Sequence, residues 1–308
     1  MKIIITGACG HIGSYLVSNI HKIKKIKEIF LVDNFHSKKY WPIFNLKNKP
    51  NFSFYQIDIS KNGSLNIFKN VDLIIHCASY TNAENSFSIK NEMYKNNINC
   101  MKNVVNFCIK KKTKLFHLSS TSVYGKQVKI VHEDDEQFLK PQSPYAEIKL
   151  IEEKILQKNK KKLKYMTFRL GTIAGVSKGM RFHTAINKFC LNAGLNQKIE
   201  VYKTAYNQYR PYLTLKDLFL TFKICIENDL YNNDIYNVLS GNYSVKQIVN
   251  KIKKYKKNVK IKFVKTSIMN QLSYLVDDAK IKNLGIRLKS KIDIDIRDTV
   301  SLLNRKQK

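Results

Sequence analysis

Tyr145 and Lys149 are the two side chains in this 308-residue sequence best suited to move a proton. They are four residues apart, so on a helix they share one face, and Pro144 suits the first position of that helix. A tyrosine hydroxyl normally has a pKa of about 10, but a neighbouring ammonium favours the phenolate. The pair therefore predicts a general base that removes a proton from a hydroxyl. Taken alone, the same spacing would also fit a pair on a helix surface.

A run of hydroxyl side chains, Ser119 to Ser122, follows the apolar segment 115–118. That segment predicts a strand, and ligands bind at the carboxyl ends of the strands in a parallel sheet. We expect Ser120 to hydrogen-bond the reacting oxygen. For its neighbours, capping of a turn is an alternative role.

Three glycines, Gly7, Gly10 and Gly13, separate the apolar run 2–6 from a helical pattern. Glycines permit a tight turn and let backbone N–H groups approach a pyrophosphate, while the helix N-terminus adds partial positive charge. His11 and Ile12 would supply N–H groups at that end of the helix. The strand–turn–helix context predicts a dinucleotide site, against the alternative of a simple turn.

Two acidic residues end the next two predicted strands. Asp33 lies twenty residues beyond Gly13, where a carboxylate accepts hydrogen bonds from a ribose diol and repels a 2′-phosphate. This position favours NAD over NADP; the alternative role of Asp33 is to cap its strand. Asp58 ends the third strand, where an adenine edge would lie, and its alternative role is that of a solvated loop acid.

The first half of the chain alternates strand and helix patterns, which predicts an α/β fold with a parallel sheet covered on both faces. Strands are predicted at 2–5, 28–32, 52–56, 73–76, 115–118 and 165–169, and helices at 12–23, 65–69, 93–110 and 145–158.

The pattern changes after about residue 175, which predicts a dinucleotide-binding domain over 1–174 and a smaller substrate-binding domain over 175–308. Segment 235–239 is expected to return to the main sheet. In the second part, helices are predicted at 180–192, 215–227, 245–257 and 294–303, and strands at 199–202, 235–239 and 259–264.

Composition narrows the functional classes. The chain is 44% hydrophobic, too apolar for a disordered protein, and it lacks the run of about 18 apolar residues of a membrane helix. Its net charge of +32 comes from 55 basic residues, but only six of them are arginine and the lysines are spread throughout. We interpret the charge as a bias of the whole chain rather than a nucleic-acid surface.

The six cysteines form no CxxC pair and no metal-ligand spacing, so no metal is expected. The first residues already form a strand and a turn and leave no room for a signal peptide. We therefore expect a cytoplasmic protein.

Taken together, these motifs resemble the NAD-dependent epimerase/dehydratase family of the extended short-chain dehydrogenase/reductase superfamily. The resemblance covers nearly the whole chain. It rests on Asn97 before a helix and on the segments 6–14, 31–34, 76–79, 119–125, 143–149, 169–171, 210–217 and 235–238. It implies a Rossmann doubly wound sheet, a bound NAD and a smaller C-terminal α/β substrate domain.

The resemblance also assigns roles to individual residues. Ser120, Tyr145 and Lys149 match the family's catalytic triad, with Tyr145 and Lys149 also at the cofactor. Asn97 matches an asparagine that kinks a helix and helps to place the catalytic lysine. The other residues implied at the cofactor are Asn34, Ile59, Cys77, Ala78 and Ser79.

The substrate side departs more from the family. Arg210 matches an arginine that binds a phosphate of a nucleotide sugar, and the other substrate contacts expected are Thr121, Thr172, Asn187 and Tyr202. Segment 180–189 replaces the usual substrate loop and resembles a branch associated with surface-polysaccharide sugars. His183, in that segment, is a candidate ligand contact or a packed or solvated loop residue.

Family dehydratases carry Asp-Glu where this chain has Thr121 and Ser122, and without that acid 4,6-dehydration is disfavoured. The leading expectation is an NAD-dependent epimerase of a nucleotide sugar, forming a homodimer through helices 93–110 and 145–158. The alternatives are a nucleotide-sugar reductase or dehydrogenase with net NAD(H) turnover, and a non-catalytic NAD- or polyanion-binding protein.

Overall fold

A computed structural model describes residues 1–44, 46, 51–81, 85–265 and 273–303. Its strands are β1 (Lys2–Thr6), β2 (Glu28–Asp33), β3 (Phe52–Gln56), β4 (Leu73–His76), β5 (Lys114–Ser120), β6 (Ile130–Val131), β7 (Tyr165–Leu170), β8 (Thr172–Ala174), β9 (Ile199–Tyr202), β10 (Tyr209–Thr214), β11 (Asp234–Val238), β12 (Gly241–Ser244), β13 (Ile261–Val264) and β14 (Leu275–Val276). Its α-helices are α1 (His11–Asn19), α2 (Lys90–Lys111), α3 (Pro144–Lys158), α4 (Ala185–Gly194), α5 (Leu215–Glu227), α6 (Val245–Tyr255), α7 (Ala279–Lys282) and α8 (Ile292–Leu303).

A seven-stranded parallel sheet forms the centre of the molecule, in the order β11-β7-β5-β4-β1-β2-β3. The strand order reverses between β1 and β4, which is the switch point where a doubly wound sheet leaves a crevice for a ligand. The predicted α/β Rossmann fold is confirmed. Segment 235–239 lies mostly in β11, which pairs in parallel with β7.

The strands are buried on both faces because helices cover the sheet on both sides. In β1, Ile3 and Ile5 pack into one apolar cluster and Ile4 into another, and all three are fully buried. Because side chains alternate along the strand, β1 contributes to two apolar cores, one on each side of the sheet.

The second part of the chain builds smaller sheets beside the first. Strand β10 lies between β8 and β12, and β9 pairs with β13. Helices α4, α6 and α8 enclose a separate apolar cluster with these strands, centred on residues such as Ile199, Ile248 and Ile296.

Two predicted helices differ from the structure. Residues 65–69 lie in and after a turn rather than a helix, since the segment is too short to nucleate one and Gly63 there has a φ of +72°. The helix predicted at 180–192 begins only at Ala185. The residues before it run outside a helix because Gly179 and Met180 are held by other parts of the chain.

Within the described part of the chain, the helices are too short or too polar to cross a lipid bilayer.

Candidate functional site

The glycine turn after β1 has no room for side chains. Gly7 has a φ of +65°, and a Cβ there would lie 2.7 Å from the backbone nitrogen of Ala78. A Cβ on Gly13 would lie 2.1 Å from the carbonyl oxygen of Gly7. Gly10 precedes α1 as its N-cap and has no side chain to accept a hydrogen bond from the first turn. The N–H groups at this end of α1 are therefore left for an anion, as a pyrophosphate requires.

Asp33 stands beside this turn at the end of β2. Its Oδ2 accepts a hydrogen bond from the Cys9 N–H at 2.9 Å, and its Oδ1 accepts one from the Phe35 N–H at 2.8 Å. Each carboxylate oxygen keeps a further lone pair, so the group can still accept from a ribose diol. A 2′-phosphate would meet a fixed negative charge at the same place.

A pocket opens at this edge of the sheet, at the switch point. Nine of the predicted cofactor residues line it, namely Gly7, Gly10, Asp33, Asn34, Asp58, Ile59, Cys77, Ala78 and Ser79. Seven other lining residues were not predicted from the sequence: Val32, His36, Ser37, Ile57, Tyr80, Asn96 and Cys100. Several of these residues lie within a few positions of the end of a strand that was predicted from its apolar pattern. Their position after a strand could therefore have indicated that they line the pocket.

His36 and Tyr80 meet across two strand ends of this pocket. Their rings stack with centroids 4.4 Å apart, and the Tyr80 hydroxyl lies 3.0 Å from Nδ1 of His36. The residues that follow β2 and β4 are thereby joined on the open side of the pocket.

Other predicted cofactor residues lie outside the pocket lining. Nε2 of buried His11 lies 2.9 Å from the Gly175 carbonyl oxygen, and burial, aided by nearby cations, lowers the pKa of His11 to about 3. Ile12 packs against the apolar core. The side chains of these two residues thus contact other parts of the protein, while their backbone begins α1 at the anion site.

Asn97 acts on the segment after β4. Its Oδ1 accepts a hydrogen bond from the Tyr80 N–H at 2.8 Å, and its Nδ2 donates to the Tyr80 carbonyl oxygen at 3.0 Å. Helix α2 runs unbroken through this position. The structure thus gives Asn97 the task of holding residues that line the pocket, whereas the Lys149 ammonium has its own partner elsewhere.

Tyr145 and Lys149 are brought together as predicted. Ser143 caps α3 by accepting a hydrogen bond from the Ala146 N–H at 3.3 Å, and Pro144 occupies the first turn. The Lys149 Nζ lies 5.8 Å from the centroid of the Tyr145 ring. Tyr145 is half-buried in a small apolar cluster that also contains Tyr80, so the phenol lies next to the pocket-lining segment.

Ser120 ends β5 and caps the following 3₁₀ turn. Its Oγ accepts a hydrogen bond from the Ser122 N–H at 3.2 Å, which leaves the Ser120 hydroxyl proton free to be donated to a ligand. Helix α3 packs against both β5 and this turn. The fold therefore places Ser120, Tyr145 and Lys149 on neighbouring elements at one edge of the sheet.

Lys149 is buried and charged. Its Nζ lies 2.7 Å from Oε2 of Glu152, and the same oxygen lies 2.9 Å from Nε2 of His117. Burial opposes the ammonium, but the attraction of Glu152 and Tyr145 outweighs it and raises the pKa of Lys149. Neither Glu152 nor His117 was singled out from the sequence, since only the fold brings β5 beside this turn of α3.

The predicted substrate residues are less uniform. Thr121 is buried, with its hydroxyl 3.2 Å from the Leu170 carbonyl oxygen and 3.3 Å from the Tyr274 hydroxyl, so it serves the interior rather than the cleft. Buried Asn187 donates from Nδ2 to the Arg181 carbonyl oxygen at 3.0 Å.

The remaining substrate candidates are on the strands of the second part. Thr172 begins β8 beside Tyr212 of β10, and Tyr202 ends β9; both are half-buried. Arg210, on β10, has a buried Nε without a hydrogen-bond partner among the described residues. His183 is exposed.

Arg181 is a further candidate that was not predicted from the sequence. Its Nε is buried and lacks a partner within the described ranges, while Nη1 donates to the Thr81 hydroxyl. Tyr145 is close enough to favour the guanidinium charge, although burial lowers the pKa of Arg181. A lone arginine within a predicted helix gave no sequence signal for this position.

Segment 175–180, named here the strap, runs across the glycine turn. The Gly179 N–H donates to Ser14 Oγ at 2.8 Å, and Lys39 Nζ donates to the carbonyl oxygens of Gly179 at 2.8 Å and Met180 at 2.9 Å. A Cβ on Gly179 would lie 2.2 Å from the Cys9 carbonyl oxygen. The strap therefore joins the cofactor side of the cleft to the segment that carries Arg181.

The chain is similar in sequence to known proteins. The chain is 27% identical over 300 residues to a trifunctional UDP-glucose 4,6-dehydratase/UDP-4-keto-6-deoxy-D-glucose 3,5-epimerase/UDP-4-keto-L-rhamnose-reductase of Arabidopsis thaliana, covering 92% of this chain but only 44% of that protein. It is 26% identical over 275 residues to an ADP-L-glycero-D-manno-heptose-6-epimerase of Brachyspira hyodysenteriae, covering 85% of this chain and 83% of the relative.

Solved structures share the fold. A UDP-glucuronic acid 4-epimerase from Bacillus cereus, in complex with UDP-glucuronic acid and NAD, superposes with a TM-score of 0.87 at 21% identity, over 98% of this chain and 100% of that one. A UDP-glucose 4-epimerase from Thermus thermophilus, in complex with NAD, gives a TM-score of 0.85 at 18% identity, over 99% and 100% of the two chains.

The sequence matches the NAD dependent epimerase/dehydratase family over residues 3–238, from β1 to the end of β11. This range contains the glycine turn, Asp33 and the Ser120, Tyr145 and Lys149 set. The resemblance found in the sequence is confirmed, and so is NAD, the cofactor by which the family is defined. The chain belongs to the NAD dependent epimerase/dehydratase family.

Proposed function

We propose that this chain is an epimerase that acts on a nucleotide-diphosphate sugar. The observation that carries the proposal is the side-chain set around Ser120. Tyr145 and Lys149 lie beside the pocket-lining segment, whereas the two residues after Ser120 are Thr121 and Ser122. Dehydration needs an acid near the leaving hydroxyl. A threonine turned into the interior and a serine do not supply one.

The cofactor fits the residues present. The glycine turn has no space for side chains, the start of α1 offers N–H groups, and Asp33 faces the pocket. Bound NAD supplies hydride chemistry, accepting a hydride from a sugar carbon and giving it back. Gly7, Gly10 and Asp33 would hold the dinucleotide, with Lys149 near its nicotinamide end.

The chain's own residues handle the proton and the sugar. Tyr145 takes the proton of the sugar hydroxyl at its phenol oxygen and later returns it. The Lys149 ammonium favours the phenolate during this exchange. Ser120 donates its hydroxyl proton to the reacting oxygen and so fixes its position.

Two arginines support an anionic substrate. Arg181 and Arg210 each carry a buried Nε with no partner among the described residues, and an unpaired donor on a buried cation is costly. A diphosphate would satisfy such donors, since its oxygens accept several charge-assisted hydrogen bonds. We assign residues 1–174 to the cofactor and 175–308 to the substrate, because both arginines lie in the second range. Asn187 and Tyr202 join the substrate side, as does Thr172, which lies in the first range but pairs with β10.

The test incubates the purified protein, without added NAD, with UDP-, dTDP- and ADP-linked hexoses and follows the anomeric signals by NMR. An epimerase converts at least one sugar into its epimer and releases NAD when denatured. Steady consumption of added NADH would instead identify a reductase, and a 4-keto-6-deoxy product a dehydratase. If no sugar reacts and polyanions bind with a steep salt dependence, the protein is a binding protein.

Replacing Tyr145 sharpens the test. Tyr145→Phe removes the proton acceptor and is expected to lower turnover by roughly 100-fold or more while NAD still co-purifies. Tyr94→Phe, at an exposed position on α2, is the matched control and should keep full activity. Full activity of Tyr145→Phe would refute the assignment of the base.

A further inference from the structure

Lys149, Glu152 and His117 form a continuous buried chain behind Tyr145. Glu152 Oε2 lies 2.7 Å from Lys149 Nζ and 2.9 Å from His117 Nε2, and the side chains of all three are at most 5% exposed. Nδ1 of His117 lies 3.3 Å from the Thr167 hydroxyl on the neighbouring strand β7. The sheet thus fixes the position of His117, and α3 fixes the position of Lys149, so Glu152 has a fixed partner on each side.

This arrangement is unusual because a charged carboxylate is placed three residues after the lysine, inside the protein. An exposed lysine needs no such partner, since water stabilises its charge. In a buried position the ammonium would lose its proton without a counter-charge. The Lys149 side chain could also adopt other rotamers if nothing held its end.

We propose that Glu152, braced by His117, is a positioning residue that holds the Lys149 ammonium beside Tyr145. The inference rests on the proposed function, in which Lys149 favours the phenolate form of Tyr145. The close polar contacts of Glu152 are with Lys149 and His117, so it acts on the reaction through Lys149.

The surroundings make the effect measurable by pH. The titratable groups that face this chain are Tyr145 and Glu153 on α3, His76 and Cys77 at the end of β4, and Cys100 on α2. Burial lowers the pKa of His76 to about 3 and raises those of Cys77 and Cys100 to about 12. These three groups keep their neutral form between about pH 5 and pH 10, so they add no charge change of their own to that of Lys149.

Glu152→Gln is the first test, because it keeps the shape and the hydrogen-bonding capacity but removes the charge. Burial without Glu152 lowers the pKa of Lys149 in the folded state below its value in the unfolded chain. Protonation then favours unfolding, so the variant is less stable than the wild type near pH 7 and approaches it as the pH rises beyond about 10. A purely structural effect would give the same difference in urea midpoint at both pH values, which would overturn the proposal.

The unfolding measurement needs neither substrate nor turnover, so its result stands even if no nucleotide sugar reacts. Glu147→Gln is the matched control, since Glu147 lies on the same helix with 49% of its side chain exposed and a contact of 3.8 Å to Lys90. It should leave the urea midpoint nearly unchanged at both pH values.

With an active substrate in hand, Glu152→Gln is expected to lower kcat roughly tenfold or more and to change KM little. His117→Asn leaves the Lys149–Glu152 pair in place but removes its support, and should lower kcat in the same direction by a smaller factor. Glu152→Asp keeps the charge and should recover part of the loss. Wild-type kcat and an unchanged pH profile in a folded Glu152→Gln protein would refute the inference.

Discussion

Two adjacent glutamates of α3 hold two different buried cations. Glu152 contacts Lys149, and Glu153 contacts Arg169 through Nε at 3.1 Å and Nη2 at 2.7 Å. Both carboxylates are almost fully buried. A lysine can lose its proton when its environment changes, but an arginine keeps its charge at any ordinary pH. Helix α3 therefore pairs one glutamate with Lys149, a cation at the candidate site whose charge can change. It pairs the other with Arg169, a cation of the scaffold whose charge is permanent.

The Arg169 network is the more extensive of the two. Its Nη1 donates to the Tyr124 hydroxyl at 2.9 Å, and that hydroxyl donates to Asn237 Oδ1 at 2.7 Å. Ser119 Oγ donates to Glu153 Oε1 at 2.5 Å. Strands β5, β7 and β11 are thereby joined to α3 just below the Ser120 turn. The Arg169 network thus fixes these strands relative to α3, the helix that carries Lys149.

Breaking the scaffold pair should have the largest effect. Glu153→Gln leaves the Arg169 charge buried without a counter-charge, and we expect a loss of about 3–5 kcal/mol in the free energy of unfolding. Because Arg169 cannot deprotonate, urea unfolding should show the same loss near pH 7 and near pH 10. Glu227→Gln, which removes a more exposed pair with Lys223, should cost about 0.5 kcal/mol or less. A Glu153→Gln loss that disappears at alkaline pH would erase the distinction between the two networks.

Acid should weaken the site pair through its carboxylate. Burial opposes the Glu152 charge, but Lys149 and His117 outweigh it and lower the pKa from 4.5 to about 2. A carboxyl with a depressed folded pKa contributes stability above its unfolded pKa and loses it as the pH falls. The stability gap between the wild type and Glu152→Gln should therefore shrink by on the order of 2–3 kcal/mol from about pH 5 towards pH 2. Urea titrations at several acidic pH values measure it, and a gap that widens in acid would contradict the assignment.

Tyr124→Phe tests the outer part of the Arg169 network. It removes the hydroxyl that both Arg169 and Asn237 contact, and we expect a loss of about 1–2 kcal/mol by urea unfolding. Tyr212→Phe is the control, since its hydroxyl is buried with no partner among the described residues and its removal should be neutral or stabilising. Equal losses in both variants would show that the Arg169 contacts contribute nothing.

The smallest effect is expected at the far end of the site network. Thr167→Val keeps the shape of the side chain but removes the hydroxyl 3.3 Å from His117 Nδ1. We expect a loss of about 0.5–1 kcal/mol, because one hydrogen bond is removed. A loss larger than that of Tyr124→Phe would mean that His117 depends on Thr167 more strongly than the distance indicates.

On the cofactor side, nine of the residues predicted from the sequence line one pocket. The glycines, Asp33 and the residues after β4 lie close to strand ends that apolar runs already mark, and their role depends mainly on the backbone around them. Most of the long strands and helices were also predicted to within a few residues, since their apolar patterns extend over several turns or strand positions.

The substrate side could not be predicted to the same degree. Strands β6 and β14 have two residues each and exist only because they pair with each other across more than 140 positions of the chain. His117 and Glu152 contact each other only because β5 lies beside α3. Arg181 likewise contacts Thr81, 100 positions away in the sequence. Thr121 resembled a cleft residue by position, but the turn after Ser120 directs its hydroxyl to Leu170 and Tyr274.

The tight fit of Gly179 has a consequence for redesign. Because even a methyl group there would collide with the Cys9 carbonyl oxygen, the path of the strap up to this residue is set by the dinucleotide half of the protein. Residues after Met180 can be exchanged without changing this path. A chimera that exchanges residues 181–189 for those of a relative would keep the hydrogen bonds of Ser14 and Lys39 to the strap. This segment is therefore suited to exchange as one piece.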